Sequence, residues 1–399
     1  MTGREKTGPA LDSPSVLVAR DLSPADTLNL DTGNLKALVL REGSPNGHTA
    51  ILAQLLGIPA VIGAGEALDA AEEGMTCLVD GASGTVILEP DEAALGEFRS
   101  KYSAGEAEQA ALARYRDIPA VTPRGRRIRV YCNIGSPEEA QAALACGCEG
   151  IGLFRTEFLY LRGGSYPSEE AQCEAYRSVL EAMGDKPVIV RTCDIGSDKT
   201  APYLQLPEEE NPALGIRGIR LCLRRRDMFL CQLRALLRAS VYGRLSVMFP
   251  MVSSLSELLE ARALWREAEK QLEQEGVPFR SRVPLGVMIE TPAAALMADT
   301  LAEEADFFSI GTNDLTQYTL AADRQSGDAA DIFDPSHPAV KKLIAMTCAA
   351  AKSRGKLAGI CGNSAGDASL LEFYEEAGVG ELSVSPGRCL SLKRDICEL

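Results

Sequence analysis

RIRVYCNIG at residues 127–135, GIGLFRTEF at 150–158 and PVIVRTCDIG at 187–196 share one plan: a short apolar, β-branched run that ends in charged or polar residues. The plan recurs in LSVMFPMV at 245–252, PLGVMIETP at 284–292, DFFSIGTNDL at 306–315, KLAGICGNS at 356–364 and GELSVSPG at 380–387. Helix-like stretches lie between these runs. In residues 256–275, for example, Leu258, Leu259, Ala263 and Ala268 fall on one side of a helix. Eight strand-then-helix units over roughly 275 residues predict an α/β fold of the closed (β/α)8 kind, with residues 121–399 as the barrel.

In such a barrel the loops after the strands converge on one mouth, and chemistry collects there. The strand ends carry Arg155, Arg191, Glu290, Asn313 with Asp314, and Cys361, while the opposite ends are mostly Gly, Pro and solvent-facing charge. Upstream, VLVARDL, LKALVL, IPAVIG, MTCLVD and GTVILEP read as five short strands of a small α/β domain over residues 16–90. Its Gly-rich loop REGSPNGH precedes a helix expected from His48 to Leu56. Residues 91–120 are rich in Ala, Glu and Lys and read as a helical linker able to let one domain swing against the other, and residues 1–15 read as a disordered tail.

The 399 residues carry 41 Lys and Arg against 56 Asp and Glu, a formal charge of −15, which disfavours nucleic acid and anionic membranes as partners. No stretch approaches the roughly 20 apolar residues of a membrane helix, and the polar start MTGREKTGPALDSPS lacks a secretory core, so a soluble cytoplasmic protein is expected. Its 12 Cys should then be reduced. The one close pair, Cys146 and Cys148, lacks the usual CxxC spacing, so the thiols read as small core residues in place of a zinc or disulfide framework.

In so acidic a chain, an anion needs locally gathered arginine. Arg155 and Arg191 end consecutive strands, and with Arg217 and Arg324 nearby they form a bidentate clamp for phosphate or carboxylate. Glu290 and Asp314 end neighbouring strands, and a carboxylate pair beside such a clamp fits Mg2+. Cys361 sits between Gly359 and Gly362 and reads equally as an exposed proton donor or a buried inert thiol. Of the two His, His48 reads as an ordinary helix-start residue or as a phosphoryl acceptor, since a helix N-terminus favours anions. His337, between two prolines, reads as structural. The ligand so defined is a small phosphorylated acid. Phosphoenolpyruvate fits, without spacing alone singling it out.

GSPNGHTAILAQLLGIPAVIG at 43–63, GIGLFRTEFLYL at 150–161, RTCDIGSDKTAPYL at 191–204, ENPALGIRGIR at 210–220, FPMVSSLSEL at 249–258, GVMIETPAAA at 286–295, FFSIGTNDLTQYTLAADR at 307–324 and ICGNSAGD at 360–367 carry a resemblance. In this order they resemble the motifs of Enzyme I of the bacterial phosphotransferase system, from about Val16 to the C-terminus. The resemblance implies a phosphohistidine domain followed by a TIM barrel that binds phosphoenolpyruvate. It implies that His48 takes the phosphoryl group on Nε2 with Thr27 partnering the other ring nitrogen. Arg155, Arg191 and Arg324, with Asn313 beside them, would hold the substrate. Glu290 and Asp314 would hold Mg2+, and Cys361 would protonate the departing enolpyruvate. A histidine-containing phosphocarrier protein as acceptor and a homodimer through the barrel are implied in the same way.

Three features depart from the family pattern. The strand and helical docking subdomain that normally come first are not visible, so a truncated or naturally short form is expected and docking of the carrier is in question. Ser44, Asn46 and Gly47 stand where Gly, Thr and Ser are usual before the His, and Asn363 stands where an acidic residue is usual. Two competing readings are a regulatory protein that binds phosphoenolpyruvate and pyruvate without passing a phosphoryl group on, and a barrel lyase or aldolase acting on a 2-oxo acid.

Overall fold

The computed structural model describes residues 13–20, 22, 34–42, 53, 58–81, 83–161, 164–197, 202–324 and 331–399. The chain divides into two compact units, Met1–Ala111 and Leu112–Leu399. In the first, β1 (Ser15–Ala19), β2 (Leu35–Leu40) and β3 (Ala60–Ile62) form a parallel sheet with β2 in the centre. The alternation of β2 sends Leu38 and Leu40 to one face against Leu17, Ala19 and Ile62. Val39 meets Val61 and Leu68 on the other. β4 (Cys77–Asp80) and β5 (Thr85–Leu88) form an antiparallel pair. A helix, Glu92–Leu112, follows. The helix expected from His48 to Leu56 lies, apart from Ala53, outside the described residues.

The second unit is the expected barrel. β6 (Arg129–Ile134), β7 (Ile151–Phe154), β8 (Pro187–Arg191), β9 (Arg244–Phe249), β10 (Leu285–Ile289), β11 (Phe307–Ile310), β12 (Leu357–Ile360) and β13 (Glu381–Val384) close into one parallel sheet. Closure is made by β13 on β6, with Leu382 opposite Val130. Each strand coincides with one of the eight runs read from the sequence, β9 starting one residue before its run at Arg244. The barrel helices follow their sequence signals: Leu255–Glu275 opens on a capping box between Ser254 and Glu257 and stops at Gly276 in the left-handed conformation at φ 70°. His337 is structural, its Nδ1 accepting the Ala339 N–H at 3.2 Å at the head of helix Pro338–Ser353. No helix among the described residues is long and apolar enough to cross a membrane.

Two hydrophobic layers organise this unit. Outside the sheet, strand residues such as Val130, Val188 and Val247 pack against the surrounding helices. A second cluster holds Leu153, Ile189, Met248, Met288, Phe307 and Cys361. Glu381, only 2% exposed, adjoins Gly152 and Gly359, where a Cβ would run into its side chain. Burial pushes the Glu381 carboxyl up to about 8, against the modest pull of Arg129. A carboxyl raised on folding binds its proton more tightly in the native state. Stability is therefore fullest below the ordinary value near 4.5 and falls as pH rises from there to about 8. Replacing Glu381 by Gln should raise the melting temperature by several degrees at pH 8.5 and change it little at pH 4.5. Thermal unfolding at the two pH values checks this.

Candidate active site

Arg191, the last residue of β8, and Thr192, Cys193 and Asp194 directly after it lie in the interior. The Asp194 carboxylate accepts a 3.0 Å contact from Arg191 Nη1 and a 2.9 Å bond from Arg217 Nη2, both at Oδ2, while Arg217 Nε reaches Oδ1 at 3.2 Å. Arg191 turns its other terminal nitrogen to Glu157 at 3.0 Å. Arg217 continues to Asp314 at 3.4 Å, and Arg324 meets the same carboxylate from the other side at 3.3 Å. The result is one continuous chain of alternating charge, Glu157–Arg191–Asp194–Arg217–Asp314–Arg324, assembled from the ends of β7, β8 and β11 and the loops beyond.

Burial decides the worth of these contacts. Arg191, Arg217, Asp194, Asp314 and Glu157 are all buried, so each charge has given up its water and is held by its partners. Burial works against the guanidinium charge of Arg191, but Glu157 and Asp194 more than offset it, so its pKa lies above the usual value. Arg217 behaves likewise, with Asp194 and Asp314 outweighing burial.

Arg155 differs. It is exposed at the end of β7, and among the described residues it has no carboxylate partner. Desolvation by the surrounding protein, then the Arg191 charge, pull its pKa down, against the opposing pull of Glu157 and Glu139.

Glu290 follows β10. Its Oε1 accepts the Met251 N–H at 2.6 Å, while Oε2 is buried with no hydrogen-bond partner among the described residues. Burial, with the Asp314 and Asp194 charges, pushes this carboxyl up to about 8. The backbone bends to serve it: Met251 adopts φ 57°, an uncommon conformation for a residue with a side chain. Gly311 lies so close that a Cβ there would sit 3.0 Å from Glu290 Oε2. The two hard oxygen donors of Glu290 and Asp314, one of them with an unmatched oxygen, fit a Mg2+ ion.

Asn313 lies in the helix Thr312–Leu320, and its Oδ1 accepts the Asn363 N–H at 2.9 Å. That bond uses the Asn363 backbone and leaves its exposed side chain free of the task. Cys361 is 3% exposed, packed with Met288 and Ile189, its Sγ 3.7 Å from the Ile310 carbonyl. The thiol is buried, and burial lifts its pKa to about 11, so it carries its proton at neutral pH. His48 and Thr27 lie outside the described residues.

Sequence reasoning named neither Asp194 nor Glu157 as site residues, although both lie within RTCDIG and LFRTEF. The signal was their position three residues beyond the strand-end arginine and two beyond it, respectively. Gln232 was also missed: from its helix it donates to Thr156 and accepts from the Cys193 N–H, bracing the β7 and β8 ends. A separate cavity of about 500 Å³, lined by Arg127, Arg129, Tyr131 and Arg244, opens at the opposite ends of the strands and is remote from these groups.

Fold and site together define a barrel enzyme with a buried arginine–carboxylate clamp at the C-terminal mouth, built for a small anion. Residues 109–399 match the PEP-binding domain of PEP-utilising enzymes, and residues 11–84 match the mobile domain of the same enzymes. The chain is 44% identical over 394 residues to the phosphoenolpyruvate-protein phosphotransferase of Bacillus sp. (strain S), covering 98% of this chain and 68% of that protein. The Geobacillus stearothermophilus protein of the same name matches to the same extent. That of Bacillus subtilis (strain 168) is 42% identical over 400 residues, covering 100% of this chain and 70% of that one. The chain belongs to the phosphoenolpyruvate-protein phosphotransferase family.

Removing the carboxylate at the centre of the network leaves two buried guanidinium groups short of a countercharge. Asp194→Ala should lower unfolding stability by about 3 kcal/mol or more. Urea titration of the two proteins at neutral pH measures it.

Proposed function

We propose that this chain catalyses Mg2+-dependent transfer of the phosphoryl group of phosphoenolpyruvate to His48, releasing pyruvate, and passes the group on to a histidine-containing phosphocarrier protein. The observation that carries the reading is the buried ion-pair chain from Glu157 to Arg324, with Arg155 left over beside it. Residues 16–90 are assigned as the phosphohistidine domain, 91–120 as the linker and 121–399 as the catalytic barrel. A cytoplasmic homodimer is part of the same reading.

Arg155, Arg191 and Arg324 bind the phosphate and carboxylate of the substrate, Arg217 holds Asp194 and Asp314 in place, and Asn313 supports the far side. Glu290 and Asp314 hold Mg2+, which when bound neutralises charge on the phosphoryl oxygens. The phosphoryl group leaves the enolate oxygen as His48 Nε2, oriented by Thr27, attacks in line; one P–O bond breaks as one P–N bond forms. Positioned guanidinium groups do most of this work, because the transition state is loose and its charge is spread over three oxygens. Cys361 gives its proton to the methylene carbon of enolpyruvate, completing pyruvate. Its raised pKa keeps the thiol protonated for that step.

Intact-mass measurement after incubation with phosphoenolpyruvate and Mg2+ should show one acid-labile adduct of about 80 Da, absent in His48→Ala and absent when Mg2+ is chelated. Unmodified protein that still binds phosphoenolpyruvate would favour the regulatory reading and defeat this one.

A further inference from the structure

Four cysteines scattered through the sequence meet at one place on the barrel wall. Cys132 comes from β6, Cys146 and Cys148 from the turn after helix Glu139–Ala145, and Cys389 from the first position of the last helix, Cys389–Cys397. The sulfurs of Cys132, Cys146 and Cys389 all lie within 4.8 Å of one another, and the Cys132–Cys146 pair stands at 3.5 Å. Cys148 follows in the same turn, two residues beyond Cys146, and is fully buried beside this triad. Among the described residues, no other group of three or more His, Cys, Asp or Glu ligand atoms converges this closely. A tetrahedral zinc site with Zn–S bonds of about 2.3 Å needs sulfurs roughly 3.8 Å apart, a spacing that the triad, with one pair at 3.5 Å and all three within 4.8 Å, reaches with small side-chain shifts.

The surroundings suit anionic sulfur. Cys132, Cys148 and Cys389 are fully buried, and Cys146 is half-buried. Lys393, one turn beyond Cys389, is itself buried at 2% exposure. Its ammonium is bonded at 2.7 Å to the Gly147 and Arg116 carbonyls and to no carboxylate among the described residues. Gly147 is the residue between Cys146 and Cys148. A buried ammonium held only by neutral carbonyls needs a nearby countercharge, and thiolates beside Gly147 supply it. Ordinary core cysteines would account for burial, but not for three sulfurs and a buried lysine gathered from segments more than 240 residues apart.

We propose that the triad Cys132, Cys146 and Cys389, with the adjacent Cys148 as fourth ligand, forms a structural site for a soft divalent metal ion, Zn2+, that ties the first barrel strand to the last helix. On binding, the four thiols release four protons and coordinate one M2+; no electron is transferred. The resulting centre carries a charge of −2, which the Lys393 ammonium partly offsets. The site is on the barrel's outer layer and is separate from the residues at the mouth.

The full chain, purified anaerobically under reducing conditions, given Zn2+ and desalted, should retain about one Zn2+ per chain by elemental analysis. Loaded with Co2+ instead, it should show the intense near-ultraviolet absorption of thiolate-to-cobalt charge transfer. Cys146→Ser and Cys389→Ser should lose both signals, while Cys77→Ser, in the other unit, should keep them. If the variants fail to fold, the wild-type cobalt spectrum decides alone. Absence of retained metal together with absence of the thiolate band overturns the proposal. So does peptide mapping of the freshly isolated, alkylated protein that finds a Cys132–Cys146 disulfide.

Discussion

The carboxylate of Asp194 holds Arg191 and Arg217 together, and the mouth of the barrel depends on that bridge. Two guanidinium groups packed side by side in a protein interior repel each other strongly, and neither has enough water around it to screen the charge. With Asp194 between them, and Glu157 and Asp314 at either end, the cations are fixed at hydrogen-bond distance from partners that are themselves buried. An acidic chain can thereby keep a cluster of arginines in one place. The cluster is already paid for at folding, so little rearrangement is needed when an anion arrives.

Two charged groups outside that ion-pair chain are the informative ones. Arg155 faces the mouth without a carboxylate partner among the described residues, and Glu290 has a buried oxygen without a donor. One is a cation without a carboxylate partner and the other a buried acceptor without a donor, which is the pattern the proposed anion and divalent cation would complete. The strained Met251 backbone and the bare Cα of Gly311 keep Glu290 where it is needed, so local conformational cost is spent on this side chain.

The barrel was legible in the sequence because its strands are short apolar runs, each closed by a polar cluster, and eight such runs in order leave few alternatives. The same rule exposed Arg155, Arg191 and Glu290, which end strands or follow them directly, while Asp314 stood out beside Asn313 in the polar cluster that closes the β11 run. Asp194 and Glu157 lie two or three residues further on, where the chain has left the strand and periodicity says nothing about direction. Arg217 was visible as a charge but not as the link between two carboxylates, because the loop that returns it to the mouth has no regular pattern. The cysteines show the limit most sharply: spacing rules look for neighbours, while Cys132 and Cys389 are brought together only by closure of the barrel. His48 and Thr27 rest on the sequence, since both lie outside the described residues.

The central claim is that a prebuilt, charge-balanced clamp leaves Arg155 free to take the substrate anion. Calorimetric titration of phosphoenolpyruvate with Mg2+ into wild type and Arg155→Gln, with melting temperatures recorded in parallel, tests it directly. The account predicts binding weakened at least about tenfold at an unchanged melting temperature, because the lost side chain pairs with ligand and not with protein. Equal affinity in the two proteins would contradict it.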